Sequence, residues 1–254
     1  MSDAAVPRYN VLGVGVSALT LDLARDLIVG ACRGRGVGYV CLCTANGLAE
    51  ARRDPAYRRI FNESWLTTAD GMPVVWMGPP GTQRVYGPDL MLAVCDAGRA
   101  SGVRHYFLGG HPGVAARLAS GLAARFPGLA VAGTYCPPFR NLTEPELAGL
   151  RAEVARAAPD IVWVGLGTPK QERFMAGPGK SLDTGLLVGV GAAFDFLSGR
   201  VAQAPRWMQR SGLEWIFRLC TEPRRLGPRY LVTNTTFVAR ALAQRLGLRK
   251  YPLT

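Results

Sequence analysis

Short apolar runs alternate with helical patterns along most of the 254-residue chain. The runs GYVCLC, WLTTA, HYFLGG, LAVAGTY, IVWVGLG and LLVGVGAAF each have the length and apolar density of a buried strand. Helical patterns lie between them, over residues 47–53, 55–62, 90–99 and 112–125 and from Thr143 onward. Strands that alternate with helices in this way predict an α/β fold with a Rossmann-like, doubly wound, mostly parallel sheet.

Two segments carry the signature of a helix start. Thr143 with Glu146, and Thr168 with Gln171, both have the spacing of a capping box, and each pair encloses a proline in the first turn. We therefore expect helices to begin at both places.

The pattern changes after Gly199. The segment APRWMQRSGLEWIFRLCTEPRRLGPRYL mixes aromatic and apolar residues with arginines, and Gly212, Pro223 and Pro228 predict breaks in it. A last helix is predicted from about Asn234 to Leu246. We therefore divide the chain into an α/β catalytic domain, residues 1–195, and a basic, aromatic-rich helical appendage, residues 196–254.

Composition narrows the class of protein. The chain is 48% hydrophobic, enough for a sizeable core. Its first residues, MSDAAVPRYN, lack the pattern of a signal peptide, and no apolar run approaches the roughly 18 residues of a spanning helix. The six cysteines are scattered without a C-x-x-C pair and are interpreted as core thiols. We expect a cytoplasmic protein with neither a metal site nor a cofactor.

Positive charge is concentrated near the end of the chain. The whole sequence has 30 Lys and Arg against 18 Asp and Glu, a net charge of +12, and residues 196–254 carry eleven basic and two acidic residues, or +9. Cationic and aromatic residues on short helices suit an anionic lipid surface. Two alternatives remain open: the apolar residues pack on the main domain while the arginines are solvated, or the appendage binds nucleic acid, for which no recognised motif is present.

The candidate chemistry lies past the ends of two predicted strands. Thr44 and Asn46 follow GYVCLC, and Asp70 follows WLTTA, where an open α/β sheet binds its ligands. Neither histidine, His105 or His111, lies near a convincing nucleophile, so Asp70 is the first candidate for a general base. The alternative is that Asp70 and Asn46 cap the helices that follow them.

Two glycine-rich turns from strand to helix could receive phosphate, because free N–H groups and the helix dipole favour an anion there. They contain Gly109, Gly110 and Gly113 in the first turn and Gly165 and Gly167 in the second. Neither matches a full dinucleotide fingerprint or a Walker motif, but two such turns suggest a nucleotide or a diphosphate.

A diphosphate would need counter-charge. There is no Asp-x-Asp pair to hold a divalent metal, so backbone N–H groups, helix dipoles and arginine must supply it. Arg84 and the arginines of the appendage are the obvious sources, although a solvated surface role is the alternative for each of them.

In this order the motifs TANGLAEARRDP, TADGMPVVW, RVYGPDLM, FLGGHPGVAARL and VWVGLGTPKQERF, followed by the segment from GVGAAFDFLSG to TEPRRL, are highly specific. From about residue 10 to residue 230 the chain resembles the WecG/TagA/CpsF family of bacterial glycosyltransferases. The resemblance implies transfer of a sugar from a UDP-sugar, with inversion and without metal, onto a polyprenyl-diphosphate-linked sugar at the inner face of the cytoplasmic membrane. It implies polysaccharide synthesis for the cell envelope, by a peripheral membrane protein. The sequence does not give the oligomeric state, and a homo-oligomer is one possibility.

The resemblance also implies roles for residues of this chain. The family's catalytic base falls on Asp70, its active-site threonine and asparagine on Thr44 and Asn46, its arginine on Arg84 and its glutamine on Gln171. Its appendage is thought to bring arginines to the active site, and Arg218, Arg225 and Arg229 match them. The glycines of the two turns would contact the donor.

Two other function classes are alternatives for this chain. A Rossmann-type NAD(P)-dependent oxidoreductase would need a GxGxxG turn after the first strand and an acidic ribose partner, and that pair is missing. A basic nucleic-acid-binding module would bind in a strongly salt-dependent way. We expect no nucleic-acid partner.

Overall fold

The computed structural model describes residues 6–34, 36–221 and 223–253, and for residues 223–232 it describes the backbone alone. The strands are β1 (Arg8–Val11), β2 (Val14–Ser17), β3 (Gly38–Cys43), β4 (Leu66–Ala69), β5 (Arg104–Gly109), β6 (Ala130–Tyr135), β7 (Ile161–Gly165) and β8 (Leu186–Gly189). The helices are α1 (Leu21–Ala31), α2 (Ala45–Arg53), α3 (Pro55–Glu63), α4 (Met72–Val75), α5 (Gly87–Gly98), α6 (Val114–Arg125), α7 (Glu144–Ala157), α8 (Lys170–Ala176), α9 (Ala193–Leu197), α10 (Arg206–Arg210), α11 (Glu214–Thr221) and α12 (Pro223–Arg245).

Six strands form one parallel sheet in the order β4-β3-β8-β7-β5-β6. Successive residues of a strand enter different cores: Val40 and Leu42 of β3 face one core, and Tyr39, Cys41 and Cys43 face the other. Burial on both faces explains why these strands are unbroken apolar runs. The predicted Rossmann-like, doubly wound α/β fold is confirmed.

Helices cover both faces of the sheet. The first core contains residues of α1, α5, α6 and α9, and the second contains residues of α2, α3, α7, α8 and α12. All six strands run in one direction, so their carboxyl ends and the loops that follow them lie at one edge.

An antiparallel hairpin, β1 with β2, precedes the sheet and was not predicted, nor was α1. Its turn has positive φ at both central residues, 55° at Leu12 and 92° at Gly13, as in a type I′ turn. Leucine is unusual there, and four-residue strands give little periodicity. The hairpin packs against β4 and α3.

One of the two predicted capping boxes is present, and the other is not. The capping box of Thr143 and Glu146 is present at the start of α7. The predicted box of Thr168 and Gln171 is wrong, because α8 begins at Lys170 and its N-cap makes no side-chain hydrogen bond. The hydroxyl of Thr168 instead donates to Glu172 at 3.1 Å.

The last helix starts earlier than its sequence predicts. Helix α12 begins at Pro223, so Pro228 lies inside it and does not break it. A proline at the first helical position is favourable. A proline in the interior removes one backbone hydrogen bond, and the rest of the helix must offset that loss of stability. The prediction of a break at Pro228 is wrong.

The end of the chain returns to the main body. Phe237 and Ala241 of α12 are buried in the second core. The side chain of Gln244 accepts a hydrogen bond from the N–H of Leu12 at 2.9 Å and donates to the carbonyl of Asn10 at 2.8 Å. The boundary at residue 196 stays a prediction. No helix among the described residues has the length and hydropathy needed to span a membrane.

Candidate active site

A cavity of about 640 Å³ opens at the carboxyl edge of the sheet. Loops that follow all six parallel strands line it, together with residues of α10, α11 and α12. Of the predicted site residues, the cavity brings together Thr44, Asn46, Asp70, Arg84, Gly110, Gly165, Gly167, Gln171 and Arg218. Gly109 and Gly113 are not among its lining residues.

Asp70 directly follows β4. Its N–H donates to the carbonyl of Cys43 at the end of β3 at 3.0 Å. Its side chain is 18% exposed, and its Oδ1 atom is buried without a hydrogen-bond partner. The cap alternative is wrong, because Gly71 is the N-cap of α4 and no side chain caps that helix. The carboxylate therefore does not cap α4; it accepts a backbone hydrogen bond from Gly87 and pairs with Arg84, while its Oδ1 atom has no hydrogen-bond partner.

Burial raises the pKa of Asp70 to about 6. The guanidinium of Arg84, whose Nη2 lies 3.7 Å from Oδ1, lowers this pKa, as does Arg218, while the carboxylate of Glu214 raises it. A carboxylate with a pKa near 6 is ionised at neutral pH and is more basic than an ordinary aspartate. These are the properties of a general base.

Arg84 connects the site to the appendage. Its Nη2 donates to Glu214 of α11 at 2.6 Å, its Nη1 to the carbonyl of Gln209 at 3.3 Å, and its Nε to the carbonyl of Asp70. The guanidinium lies 4.0 Å from the ring centroid of Tyr86, whose hydroxyl donates to Glu214 at 3.2 Å. Arg84 thus positions α10 and α11 beside Asp70.

Glu214 was not a predicted site residue. Its signal was that it is one of two acidic residues in the appendage.

Thr44 and Asn46 have different roles at the start of α2. The hydroxyl of Thr44 caps the helix by accepting a hydrogen bond from the N–H of Gly47 at 3.1 Å. Asn46 lies in the first turn and lines the cavity. The alternative that Asn46 is the cap is wrong, so its amide is available to the cavity.

The two glycine-rich turns lie against each other. The N–H of Gly110 donates to the carbonyl of Gly165 at 2.9 Å, and a Cβ at Gly109 would collide with that same carbonyl. Gly113, with φ 78°, is the N-cap of α6. Anion binding by these turns stays a prediction.

Gln171 lies at the floor of the cavity and is 3% exposed. Its Nε2 donates to Glu172 at 2.8 Å, and its Oε1 is buried without a partner. Glu172, 0% exposed, was not a predicted site residue, because a buried carboxylate has no sequence signature of its own.

The appendage forms one wall of the cavity. Arg218 lines it, with its guanidinium 5.7 Å from the ring centroid of Phe196. Thr233 and Asn234 of α12 also line it. The side chains of Arg225 and Arg229 lie outside the described residues.

The two histidines have different surroundings. His105 is buried, burial lowers its pKa to about 4, and its Nδ1 accepts a hydrogen bond from the indole of Trp163 at 3.0 Å. His111 lines the cavity and stacks on Phe139. Within the described ranges, no group of three or more His, Cys, Asp or Glu residues comes together in a way that could hold a metal ion.

The chain is similar to a known protein family and to known proteins. The model of the glycosyl transferase WecG/TagA/CpsF family matches residues 9–251. An N-acetylglucosaminyldiphosphoundecaprenol N-acetyl-beta-D-mannosaminyltransferase of Bacillus spizizenii is 31% identical, over 69% of this chain and 68% of that protein.

Proposed function

The chain belongs to the glycosyl transferase WecG/TagA/CpsF family, and from that premise we propose that it transfers a sugar from a UDP-sugar, with inversion, to a polyprenyl-diphosphate-linked sugar. Membership in a glycosyltransferase family decides against the oxidoreductase and the nucleic-acid-binding module as the main activity. The product would serve the synthesis of a cell-envelope polysaccharide.

One observation carries the catalytic part of this proposal. Asp70 stands at the carboxyl edge of the sheet, inside the cavity, with a buried oxygen that has no hydrogen-bond partner and a pKa of about 6. An acceptor hydroxyl would supply the missing partner and would give up its proton there.

The proposed step is a single displacement. The acceptor oxygen forms a bond to the anomeric carbon while the bond from that carbon to the UDP oxygen breaks, and UDP leaves with the electron pair. Asp70 takes the acceptor's proton. Because the nucleophile enters opposite the leaving group, the configuration at the anomeric carbon inverts.

We propose that protein groups neutralise the leaving diphosphate without a metal ion. Arginines already hold carboxylates that line the cavity: Arg84 contacts Asp70 and Glu214, and Arg200 pairs with Asp195 at 2.9 Å. The N–H groups of the glycine turns and Arg218 remain to meet the diphosphate. Arg84, with its donors engaged inside the protein, acts mainly by holding the site together.

The relative's name suggests the substrates. That protein transfers N-acetylmannosamine to N-acetylglucosaminyl-diphosphoundecaprenol. We propose an acceptor of the same kind, a lipid diphosphate that carries an amino sugar, and UDP-N-acetylmannosamine as the first donor to try.

A lipid-linked acceptor requires the enzyme to work at a membrane surface. Trp76 and Trp207 are exposed, and Val238 and Leu242 form an exposed apolar pair one turn apart on α12. With the basic residues of the appendage, they support peripheral association with the inner face of the cytoplasmic membrane.

The test is direct. The full chain is incubated with a panel of UDP-sugars and a synthetic N-acetylglucosaminyl-diphosphate lipid, and mass spectrometry detects the disaccharide lipid. NMR of the new glycosidic bond gives its configuration. No product with any UDP-sugar, or a product with retained configuration, would contradict the proposal.

A further inference from the structure

A carboxylate with neutral partners lies buried under the cavity. The Oε1 atom of Glu172 accepts hydrogen bonds from Gln171 Nε2 at 2.8 Å and from Thr168 Oγ1 at 3.1 Å, and its Oε2 atom accepts one from the hydroxyl of Tyr57 at 2.9 Å. Burial raises the pKa of Glu172, and these donors offset part of the effect. A buried carboxylate is unfavourable unless hydrogen bonds satisfy it, so it holds its donors in fixed orientations.

This contact decides which end of the Gln171 amide faces inward. The Gln171 amide turns its NH₂ group toward Glu172, where Nε2 donates to Oε1, and the other donors around this carboxyl group, Thr168 and Tyr57, hold it in place. The carbonyl oxygen then points away from Glu172, and it is buried without a partner. The end of β8 lies nearest to this oxygen, but Gly189 and Gly191 have no side chain that could donate a hydrogen bond to it. A Cβ at Gly191 would lie 3.4 Å from the oxygen.

We propose that Glu172 is a positioning residue that presents the carbonyl oxygen of Gln171 to a hydrogen-bond donor of the transferred sugar, either a hydroxyl or an acetamido N–H. This inference rests on the proposed function, since it assigns the part of the cavity beside Gln171 to the sugar. A site with an unpaired buried acceptor selects ligands that bring a donor. The oxygens of the UDP diphosphate only accept hydrogen bonds and cannot pair with the carbonyl oxygen of Gln171. The diphosphate therefore lies elsewhere in the cavity.

Calorimetric titration with UDP and with UDP-N-acetylmannosamine separates the sugar's contribution from that of the nucleotide. Gln171→Met keeps the length of the side chain and removes the acceptor. We expect it to reduce the sugar-dependent gain in affinity by about tenfold and to leave UDP binding unchanged. Glu172→Gln should do the same to a smaller extent, because an amide at position 172 no longer forces the Gln171 amide into one orientation.

A swapped pair tests the orientation itself. In the double variant Gln171→Glu with Glu172→Gln, the carboxylate at position 171 accepts from the amide at position 172 and keeps an oxygen for the sugar. We expect it to recover sugar-dependent affinity that each single change loses. Tyr57→Phe is the matched control: it removes another donor to Glu172, so we expect a lower Tm and an unchanged sugar-dependent gain.

Comparison with UDP-mannose identifies which group of the sugar donates the hydrogen bond to Gln171. If the acetamido N–H pairs with Gln171, Gln171→Met removes the preference for UDP-N-acetylmannosamine over UDP-mannose; if a hydroxyl pairs with it, both affinities fall together. A full sugar-dependent gain in Glu172→Gln, or an equal loss of UDP and UDP-sugar affinity, would overturn the inference. A wild-type protein that gains nothing from the sugar contradicts the proposed donor, and the inference falls with it.

Discussion

Arg84 and Glu214 form an ion pair of 2.6 Å that joins the loop before α5 to helix α11 of the appendage. The same Arg84 nitrogen lies 3.7 Å from Oδ1 of Asp70. One guanidinium therefore connects the proposed base with a part of the chain that follows 130 residues later. Helix α11, through Glu214 and Arg218, is therefore electrostatically coupled to the proposed base.

The first prediction concerns the pH dependence of wild-type turnover. Burial raises the pKa of Asp70 to about 6, and a protonated carboxyl cannot accept the acceptor's proton. We expect kcat/KM to fall as the pH drops through about 6, in a profile measured from pH 5 to 9. A profile that stays flat down to pH 5 would show that Asp70 is not the base.

Glu214→Gln should move that acidic limb. The charged groups that act on Asp70 are Arg84 and Arg218, which lower its pKa, and Glu214, which raises it. Without the charge of Glu214, we expect the limb to shift to lower pH by about one unit. Asp195→Asn removes another carboxylate that lines the cavity and should leave the limb in place. Equal shifts in both variants would argue against a specific coupling.

Asp70→Asn should lose most turnover and keep UDP binding. Loss of a general base typically lowers the rate by about 10²–10⁴-fold, whereas the amide keeps the size of the side chain. Single-turnover kinetics and UDP titration measure the two effects. A variant with near-wild-type turnover would exclude Asp70 as the base.

The same variant should be more stable at neutral pH. The folded-state pKa of Asp70 lies above its ordinary value, so its contribution to stability is full below pH 4 and is lost as the pH rises through about 6. An amide cannot ionise and avoids that loss, which is at most about 3 kcal/mol. We expect a higher Tm than wild type at pH 7.5 and a difference that vanishes at low pH.

Local pattern predicted the parts of the site that sit next to strand ends. Asp70, Thr44 and Asn46 follow buried runs, and a parallel sheet brings such positions to one edge. Glu214 and Glu172 could not be found in this way, because their partners Arg84 and Tyr57 are 130 and 115 residues away in sequence. Only the packing of distant elements creates those contacts.

Turnover should survive chelation. If the diphosphate is neutralised by N–H groups and arginine, EDTA will not remove anything that the reaction needs. We expect the initial rate with about 5–10 mM EDTA to equal the initial rate with added Mg²⁺. Loss of turnover in EDTA with recovery on Mg²⁺ or Mn²⁺ would refute metal independence.

The last prediction concerns the exposed face of α12. Val238 and Leu242 are 60% and 56% exposed, whereas Phe237 and Ala241 on the other side of the helix are buried. If the exposed face enters the lipid interface beside the basic residues that follow, Val238→Ser with Leu242→Ser should weaken binding to anionic vesicles. Full burial of such a side chain contributes about 1.5–3 kcal/mol, so a partial insertion of two side chains predicts a loss of vesicle affinity of roughly tenfold or more.

Turnover of a soluble, short-chain acceptor should not change, because neither residue lines the cavity. Phe237→Ser is the contrasting change: it should lower Tm by opening the second core. Vesicle flotation at two salt concentrations measures the association, and undiminished binding by the double variant would place the membrane contact on another surface.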